Sequence, residues 1–223
     1  MLSPARRLLK LIHLEAMPWP ATILYNALSR SSIFQKNYDL VVQDILEHCP
    51  GKRILDIGTG PGWLLVKLHR RAPELQLTGV DVSAPMVAMA RKNIDASSLK
   101  DRIRIETGSA SLLPFHSNSF DAVVSTGSIH HWKDPKTALN EVYRVLRKGG
   151  VAHLYDLVSD TPRDVLEGAA ADFGRLRAVL LRVHAFEEPF YSMDALVSLA
   201  EGLPFVGKST RFVGIQFCLS LTK

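Results

Sequence analysis

The residues with the clearest chemical potential stand together at positions 55–62, Leu55-Asp56-Ile57-Gly58-Thr59-Gly60-Pro61-Gly62. An apolar run ends there in a cluster of glycines, directly before a helical stretch over 62–71. Glycine allows a tight turn and a close approach of backbone to ligand. The exposed N–H groups at a helix start favour an anionic group such as a carboxylate or phosphate. The second element is Gly79-Val80-Asp81-Val82, in which Asp81 follows Gly62 by 19 positions (81 − 62). That is close to the spacing at which an acid meets ribose hydroxyls in the next strand–helix unit. A carboxylate accepts hydrogen bonds from both hydroxyls of a cis-diol and repels a 2′-phosphate, so the pattern disfavours NADP. The GxGxG spacing, with Asp56 two positions before the first glycine, also departs from the GxGxxG of NAD enzymes.

Further candidates follow the later apolar runs. His130 and His131 come just after the run at 120–124, and a histidine with an ordinary pKa near 6.5 can take a proton at neutral pH. Either can instead pack or cap the next helix, and Trp132 is read as packing. Tyr155 and Asp156 end the run at 151–156 and are read as core or capping residues. Tyr25 and Tyr38 fall in the N-terminal helices and are read as surface residues, with a lid role as the alternative. Phe186, Pro189, Phe190 and Tyr191 mark a second candidate lid.

These residues need a scaffold, and the periodicity supplies one. Residues 1–50 read as helices around Pro18-Trp19-Pro20, ended by Pro50-Gly51. From Lys52 onward, short strands (53–57, 75–81, 102–106, 120–124, 151–156) alternate with helices (62–71, 85–96, and one capped by Asp134 or Thr137 that runs to Arg147 and ends at Gly149-Gly150). This rhythm means βαβ units and a parallel sheet. Residues 162–184 look helical, with Leu176, Val179, Leu180 and Val183 apolar. Ser192 caps a further helix, and 205–213 and 215–222 form a closing hairpin with antiparallel pairing. The expected fold is α/β, Rossmann-like and doubly wound: a seven-stranded, mostly parallel sheet with an antiparallel C-terminal hairpin strand. Its expected parts are cap helices (1–50), a ligand-binding core (51–158), a lid or acceptor insertion (159–191) and a C-terminal helix and hairpin (192–223).

Composition narrows the partners. The chain has 223 residues, 47% hydrophobic and 22% charged, with a formal charge of +5. That suits one globular domain. Basic residues cluster only in pairs such as Arg6-Arg7 and Arg70-Arg71, which argues against a nucleic-acid partner. Cys49 and Cys218 form no CxxC or Cys/His cluster, so neither zinc nor a disulfide framework is expected. The N-terminal leucines are interrupted by Arg6, Arg7, Lys10, His13 and Glu15, too often for a membrane span, and the protein is read as cytoplasmic.

Over residues 38–158 the chain resembles the class I S-adenosylmethionine-dependent methyltransferases. Residues 52–64 resemble the family's first motif, Thr78-Gly79-Val80-Asp81 its second, and Phe120-Asp121-Ala122-Val123-Val124 with the following Ser125-Thr126-Gly127-Ser128-Ile129-His130-His131-Trp132 its fourth. The stretch 138–150 resembles the helix and turn before the fifth strand. The resemblance implies that Gly58, Thr59, Gly60, Gly62 and the neighbouring backbone cradle the methionine part of the cofactor, with Asp56 fixing the turn or meeting the amino group. Asp81 takes the ribose hydroxyls, and Val82 and Met86 flank the adenine, core packing being the alternative for Met86. Ser125 and Thr126 fall at the rim of the same site. Where the family commonly carries an acid after a glycine, this chain has Gly108-Ser109-Ala110, leaving the Ser109 hydroxyl and the Ala110 N–H for the adenine. His130 and His131 are the candidate bases. The implied acceptor is a small molecule, with a lipid-like quinone precursor kept in view because the N-terminus is amphipathic and basic. A scaffold protein that binds the cofactor without turnover is the alternative. Acceptor atom and oligomeric state stay open.

Overall fold

A strand such as Ile54-Leu55-Asp56-Ile57, apolar on both sides, is stable only between two covered faces. The computed structural model, which describes residues 19–173 and 190–223, supplies those faces. Helices α1 (Trp19–Ser29) and α2 (Ser32–His48) lead into β1 (Arg53–Ile57), α3 (Trp63–Arg71), β2 (Gln76–Asp81), α4 (Ala84–Ala96) and β3 (Ile103–Thr107). Then come β4 (Phe120–Thr126), a single 3-10 turn (Ile129–His131), α5 (Pro135–Val145) and β5 (Leu146–Asp156). Helices α6 (Arg163–Phe173) and α7 (Met193–Ser198) precede the hairpin β6 (Gly207–Val213) and β7 (Gln216–Thr222).

The seven strands form one sheet in the order β3-β2-β1-β4-β5-β7-β6. The first five are parallel, and β7 pairs antiparallel with both β5 and β6, as expected. Alternation sorts the side chains. Leu55, Val123, Leu154 and Leu219 pack with α5 and α7 residues such as Leu139, Val142 and Leu196 on one face. Ile54, Val124, Tyr155 and Cys218 pack with α2, α3 and α4 on the other, through Val41, Ile45, Leu65 and Ala90. The chain winds outward from β1 to β3, then returns to β4 on the other side of β1. The strand order therefore reverses between β1 and β4, and a crevice opens at their carboxyl ends, where open α/β sheets bind ligands.

One expected boundary moves. Helix α5 starts as read, capped by the Asp134 side chain on Thr137 N, but it ends at Val145 and not at Arg147. Gly149 and Gly150 lie inside β5. Its register with β4 shifts between Phe120 and Ala122, so the glycine pair makes a bulge there and does not stop the helix. A Cβ on Gly150 would press on the carbonyls of Arg147 and Asp121 at 2.9 Å, which explains the glycine.

The amino ends of the strands are tied by charge. Asp121 accepts from the backbone N–H groups of Lys52 and Arg53 and pairs with the Arg53 and Arg147 guanidinium groups. Burial alone would raise its pKa, but Arg53 and these amides hold it down at about 2. A second cluster ties α2 to the hairpin. The Arg211 guanidinium donates through two nitrogens to the Asp44 carboxylate, and the Tyr155 hydroxyl donates to the same group at 2.6 Å. Arg211 also donates to Ser220 Oγ, which meets His153 Nδ1 at 2.7 Å. Burial, with Arg211 nearby, lowers the His153 pKa to about 4, so the ring is neutral at pH 7.

Among the described residues no helix is long and apolar enough to cross a membrane, and no group of metal-binding side chains converges. The expected apolar positions at 176–183, Phe186 and Pro189, and the basic amphipathic N-terminus, lie outside the described residues.

The Asp44 cluster generates a prediction. Asp44→Ala leaves the partly buried Arg211 and the fully buried Tyr155 without their acceptor, a loss of about 3 kcal/mol, the low end for a broken buried pair because Arg211 is a quarter exposed. For a chain of this size the melting temperature should fall by roughly 6–12 °C. Thermal denaturation followed by circular dichroism checks it, and an unchanged midpoint would show that the cluster does not tie α2 to the hairpin.

Candidate active site

The crevice is built from two loops that meet over the reversal in strand order. After β1 the chain turns at Gly58, Gly60 and Gly62, all with positive φ (73°, 52° and 80°). The reason for glycine differs at each. A Cβ on Gly58 would sit 2.5 Å from the Ser128 side chain, so this glycine lets the loop after β4 close on the loop after β1. A Cβ on Gly62 would press on Ala90 of α4 at 3.3 Å, so it serves helix packing. At Gly60 the nearest atom is a ring carbon of Tyr25 at 3.7 Å, and its N–H donates to Asp81 Oδ2 at 2.9 Å. Of the three, Gly60 alone fronts the crevice.

Asp81, half-buried at the end of β2, uses one oxygen for Gly60 N and the other for Ser83 N, both at 2.9 Å. A carboxylate has about four acceptor sites, so each oxygen keeps one lone pair for a further donor. Two adjacent oxygens with one free site each suit a vicinal diol. Burial raises the Asp81 pKa, while the two amides pull it down. Asp56, almost fully buried at 2% exposure, is pushed by burial up to about 7, with the Asp81 carboxylate adding to the rise. Thr59 is buried, its amide bonded to Val80 O.

The remaining expected residues divide. Val82 is half-buried, and Met86 is buried near the start of α4, its N–H on the Ser83 cap. Ala110 belongs to the apolar core. The Ser109 hydroxyl accepts from Ser111 N at 3.2 Å in a local turn, so it is already engaged inside the protein. Ser125 is buried, its hydroxyl 2.6 Å from that of Ser128, which in turn donates to Ile57 O and joins β4 to β1. Thr126 Oγ1 is buried without a hydrogen-bond partner at the carboxyl end of β4. Beside it, Gly127 (φ 61°) has open space where a Cβ would point. An orphaned hydroxyl, a half-used carboxylate and a glycine with free space fit a polar ligand lying across this rim.

His130 is buried and points its Nδ1 at Asp156, 2.8 Å from Oδ2 and 3.1 Å from Oδ1. Asp156 also accepts from His130 N and Leu157 N. The capping role read for Asp156 is therefore present, together with a side-chain partner the sequence did not announce. Tyr155 is a core residue bonded to Asp44, and Trp132 is core as expected. His131 is half-buried and lies against His130, ring centroids 3.9 Å apart, and Phe190 covers the His130 ring from 4.3 Å.

The N-terminal helices reach the same place. Tyr25 of α1 stands over Gly60, and its hydroxyl pairs with that of Tyr38 on α2. Burial, then the Asp81 carboxylate, with Asp156 and Asp56 further off, pushes the Tyr25 phenol up to about 12. Both tyrosines are thus turned inward, contrary to the surface reading, and Tyr38 is core. The anchor that sequence reasoning missed is Asn26: its Oδ1 accepts from Trp63 Nε1 at 3.0 Å and Asn93 Nδ2 at 2.9 Å, docking α1 onto the glycine loop. Nothing local marks an asparagine whose partners lie 37 and 67 positions away.

Comparison with known proteins agrees with this geometry. The methyltransferase domain family matches residues 55–154. The demethylmenaquinone methyltransferase of Thermus thermophilus is 42% identical over 105 residues, 47% of this chain and 46% of the relative. The ubiquinone/menaquinone biosynthesis C-methyltransferase UbiE of Geotalea daltonii is 34% identical over 122 residues, 54% of this chain and 51% of the relative. The chain thus spans about half the length of the curated relatives it matches. A crystal structure from Methanococcus maripaludis, assigned as an S-adenosyl-L-methionine-dependent methyltransferase, superposes with a TM-score of 0.69 at 22% identity, over 91% of both chains, which establishes the fold. With the glycine turn, the acid ending β2 and the strand order in place, residues 55–154 match the methyltransferase domain family in sequence and have the fold of its solved neighbour.

Proposed function

We propose that this chain transfers the methyl group of S-adenosylmethionine to a small, quinone-type acceptor. The observation that carries the reading is the Asp81 carboxylate, held by the Gly60 and Ser83 amides with one acceptor site open on each oxygen. Asp81 would hold the ribose hydroxyls. The backbone at Gly58, Thr59 and Gly60 and the Asp56 carboxylate would hold the methionine end, with Gly62 shaping the turn from behind. Val82 and Met86 would flank the adenine, the Ala110 N–H would meet its edge, and Ser109 would stiffen that turn. Thr126 would offer its unpartnered hydroxyl, and Ser125 would act through Ser128. Bound there, S-adenosylmethionine supplies a sulfonium-activated methyl group and departs as S-adenosylhomocysteine.

What the chain adds is chiefly position: holding acceptor and methyl carbon in line removes much of the entropic part of the barrier. The quinone-type acceptor is supported by the names of the curated relatives and by the aromatic rings of His131 and Phe190 packed around His130. Of the expected cap and lid segments, the described residues 19–50, 159–173 and 190–191 would flank the acceptor over the 51–158 core, with 192–223 completing the sheet. His130, and beside it His131, are the histidines that would face the acceptor.

Titration calorimetry with S-adenosylhomocysteine tests the cofactor site. The parent should bind, and Asp81→Ala should bind about 10- to 100-fold more weakly, the loss of charge-assisted hydrogen bonds worth about 1.5–3 kcal/mol. A parent that does not bind, or a variant that binds as well, would sink the reading.

Asp56 gives the site a pH signature. Its pKa is raised to about 7, so the carboxyl is mostly neutral at pH 6 and mostly ionised at pH 8. A ligand ammonium group prefers the ionised form. Affinity for S-adenosylhomocysteine should therefore rise from pH 6 to 8, and Asp56→Asn should remove most of that rise. An equally steep profile in the variant would place the titrating group elsewhere.

A further inference from the structure

Resting on the methyltransferase reading, we infer that His130 is the general base of the reaction, that Asp156 positions it, and that the acceptor is a hydroxyaromatic whose ring hydroxyl must lose a proton. Three observations converge. Asp156 receives Nδ1 of His130 between its two oxygens, at 2.8 and 3.1 Å, while the His130 and Leu157 amides fix the carboxylate from the backbone. An imidazole whose Nδ1–H donates to a carboxylate carries its free lone pair on Nε2. The ring is thus held in the tautomer that can accept a proton, on the same rim as Asp56 and Asp81.

The second observation is the surroundings. Buried His–Asp pairs are costly unless well bonded, and a plain cap for a one-turn 3-10 segment needs only the backbone contact to His130 N. Here the side chains pair as well, at 6% and 2% exposure, and the imidazole is sandwiched between His131 and Phe190. Tyr191 lies close enough that burial and the Asp156 charge push its phenol up to about 12. His131, Phe190 and Tyr191 thus put aromatic rings around the pair, the surroundings that would suit an aromatic acceptor. The groups facing the pair are His131 on the turn of His130, Tyr191 before α7 and Tyr25 from α1. The phenols of Tyr25 and Tyr191 are held up near 12, so neither competes for the role of base at neutral pH.

The third observation is chemical need. A neutral phenol is a poor nucleophile, and its anion is a good one at the oxygen and at the ring carbons ortho and para to it. The hydroxyl O–H bond breaks and its proton passes to Nε2 of His130. The electron pair released forms the new bond to the methyl carbon, and the pair of the broken carbon–sulfur bond stays on sulfur. When a ring carbon attacks, its own C–H proton then leaves and the oxygen regains one, so the ring is restored and protons balance. His130 returns its proton to solvent.

The test uses the full-length protein. With 1-naphthol and no nucleotide, the parent should bind the probe in part as its anion at pH 7.5, seen as a red-shifted absorption band, and His130→Gln should abolish that band. In turnover with 1,4-dihydroxynaphthalene under reducing conditions, His130→Gln should lose about 10²- to 10⁴-fold in kcat. S-adenosylhomocysteine should still raise its melting temperature as in the parent. Asp156→Asn should lower kcat with little change in acceptor KM and shift the pH profile, and His130→Ala should recover activity with added imidazole, which a structural role would not allow. A parent that binds the nucleotide but ionises and methylates neither probe overturns the acceptor class. A His130→Gln enzyme within twofold of the parent overturns the base. A parent that fails to bind the nucleotide removes the methyltransferase reading itself.

Discussion

The site depends on one carboxylate being held where strand β2 ends. Asp81 bonds Gly60 across the crevice and Ser83 ahead of it, so it ties the glycine turn after β1 to the first turn of α4. Those bonds hold the turn and leave one further acceptor site on each carboxylate oxygen. One acid thus serves both the turn, through its amide bonds, and the crevice, through its remaining acceptor sites. The rest of the sheet supports this contact. Gly58 exists so that Ser128 can close on Ile57, and Gly62 so that α3 can press on α4.

Charge is divided along the strands. At their amino ends Asp121 is paired with Arg53 and Arg147 and sits at about 2, which is the behaviour of a structural carboxylate. At the carboxyl ends Asp56 and Asp81 have no cation beside them in the described residues, and burial raises both. Two neighbouring acids in one crevice, neither with a basic side chain, create a field that a positively charged ligand relieves. An ammonium and a sulfonium in one molecule meet that condition, which a nicotinamide dinucleotide with its pyrophosphate does not.

Legibility in the sequence followed the range of the interactions. Strands β1 to β5, the glycine turn and Asp81 are local patterns, set by runs of apolar residues and by backbone angles that only glycine adopts easily, and they were readable. The end of α5 was not, because Leu146 leaves the helix to pair with Phe120, 26 positions earlier, and the glycines that look like a stop serve a bulge. Ser109 reads as a substitute acceptor for adenine, and in the fold its hydroxyl accepts from Ser111 N, which leaves it a second lone pair and its own proton. Tyr25 reads as a surface residue from its place in an N-terminal helix, and in the fold it stands over Gly60 and meets Phe34 and Tyr38, with α1 anchored through Asn26. The end of α5 and the turning-in of Tyr25 are both set by contacts between residues far apart in sequence, where pattern carries no signal.

The same reasoning separates His130 from His131. Sequence makes them equivalent neighbours at the mouth of one strand. The sheet does not, because β5 runs parallel to β4 and brings the end of its eleventh residue, Asp156, to the turn that carries both rings. Asp156 reaches the backbone N–H of His130 and, from the same carboxylate, its Nδ1. A ring fixed at Nδ1 has one nitrogen left with which to act, whereas the His131 ring lies against its neighbour's face. Parallel pairing of β4 with β5 is what gives one histidine of the two a carboxylate partner.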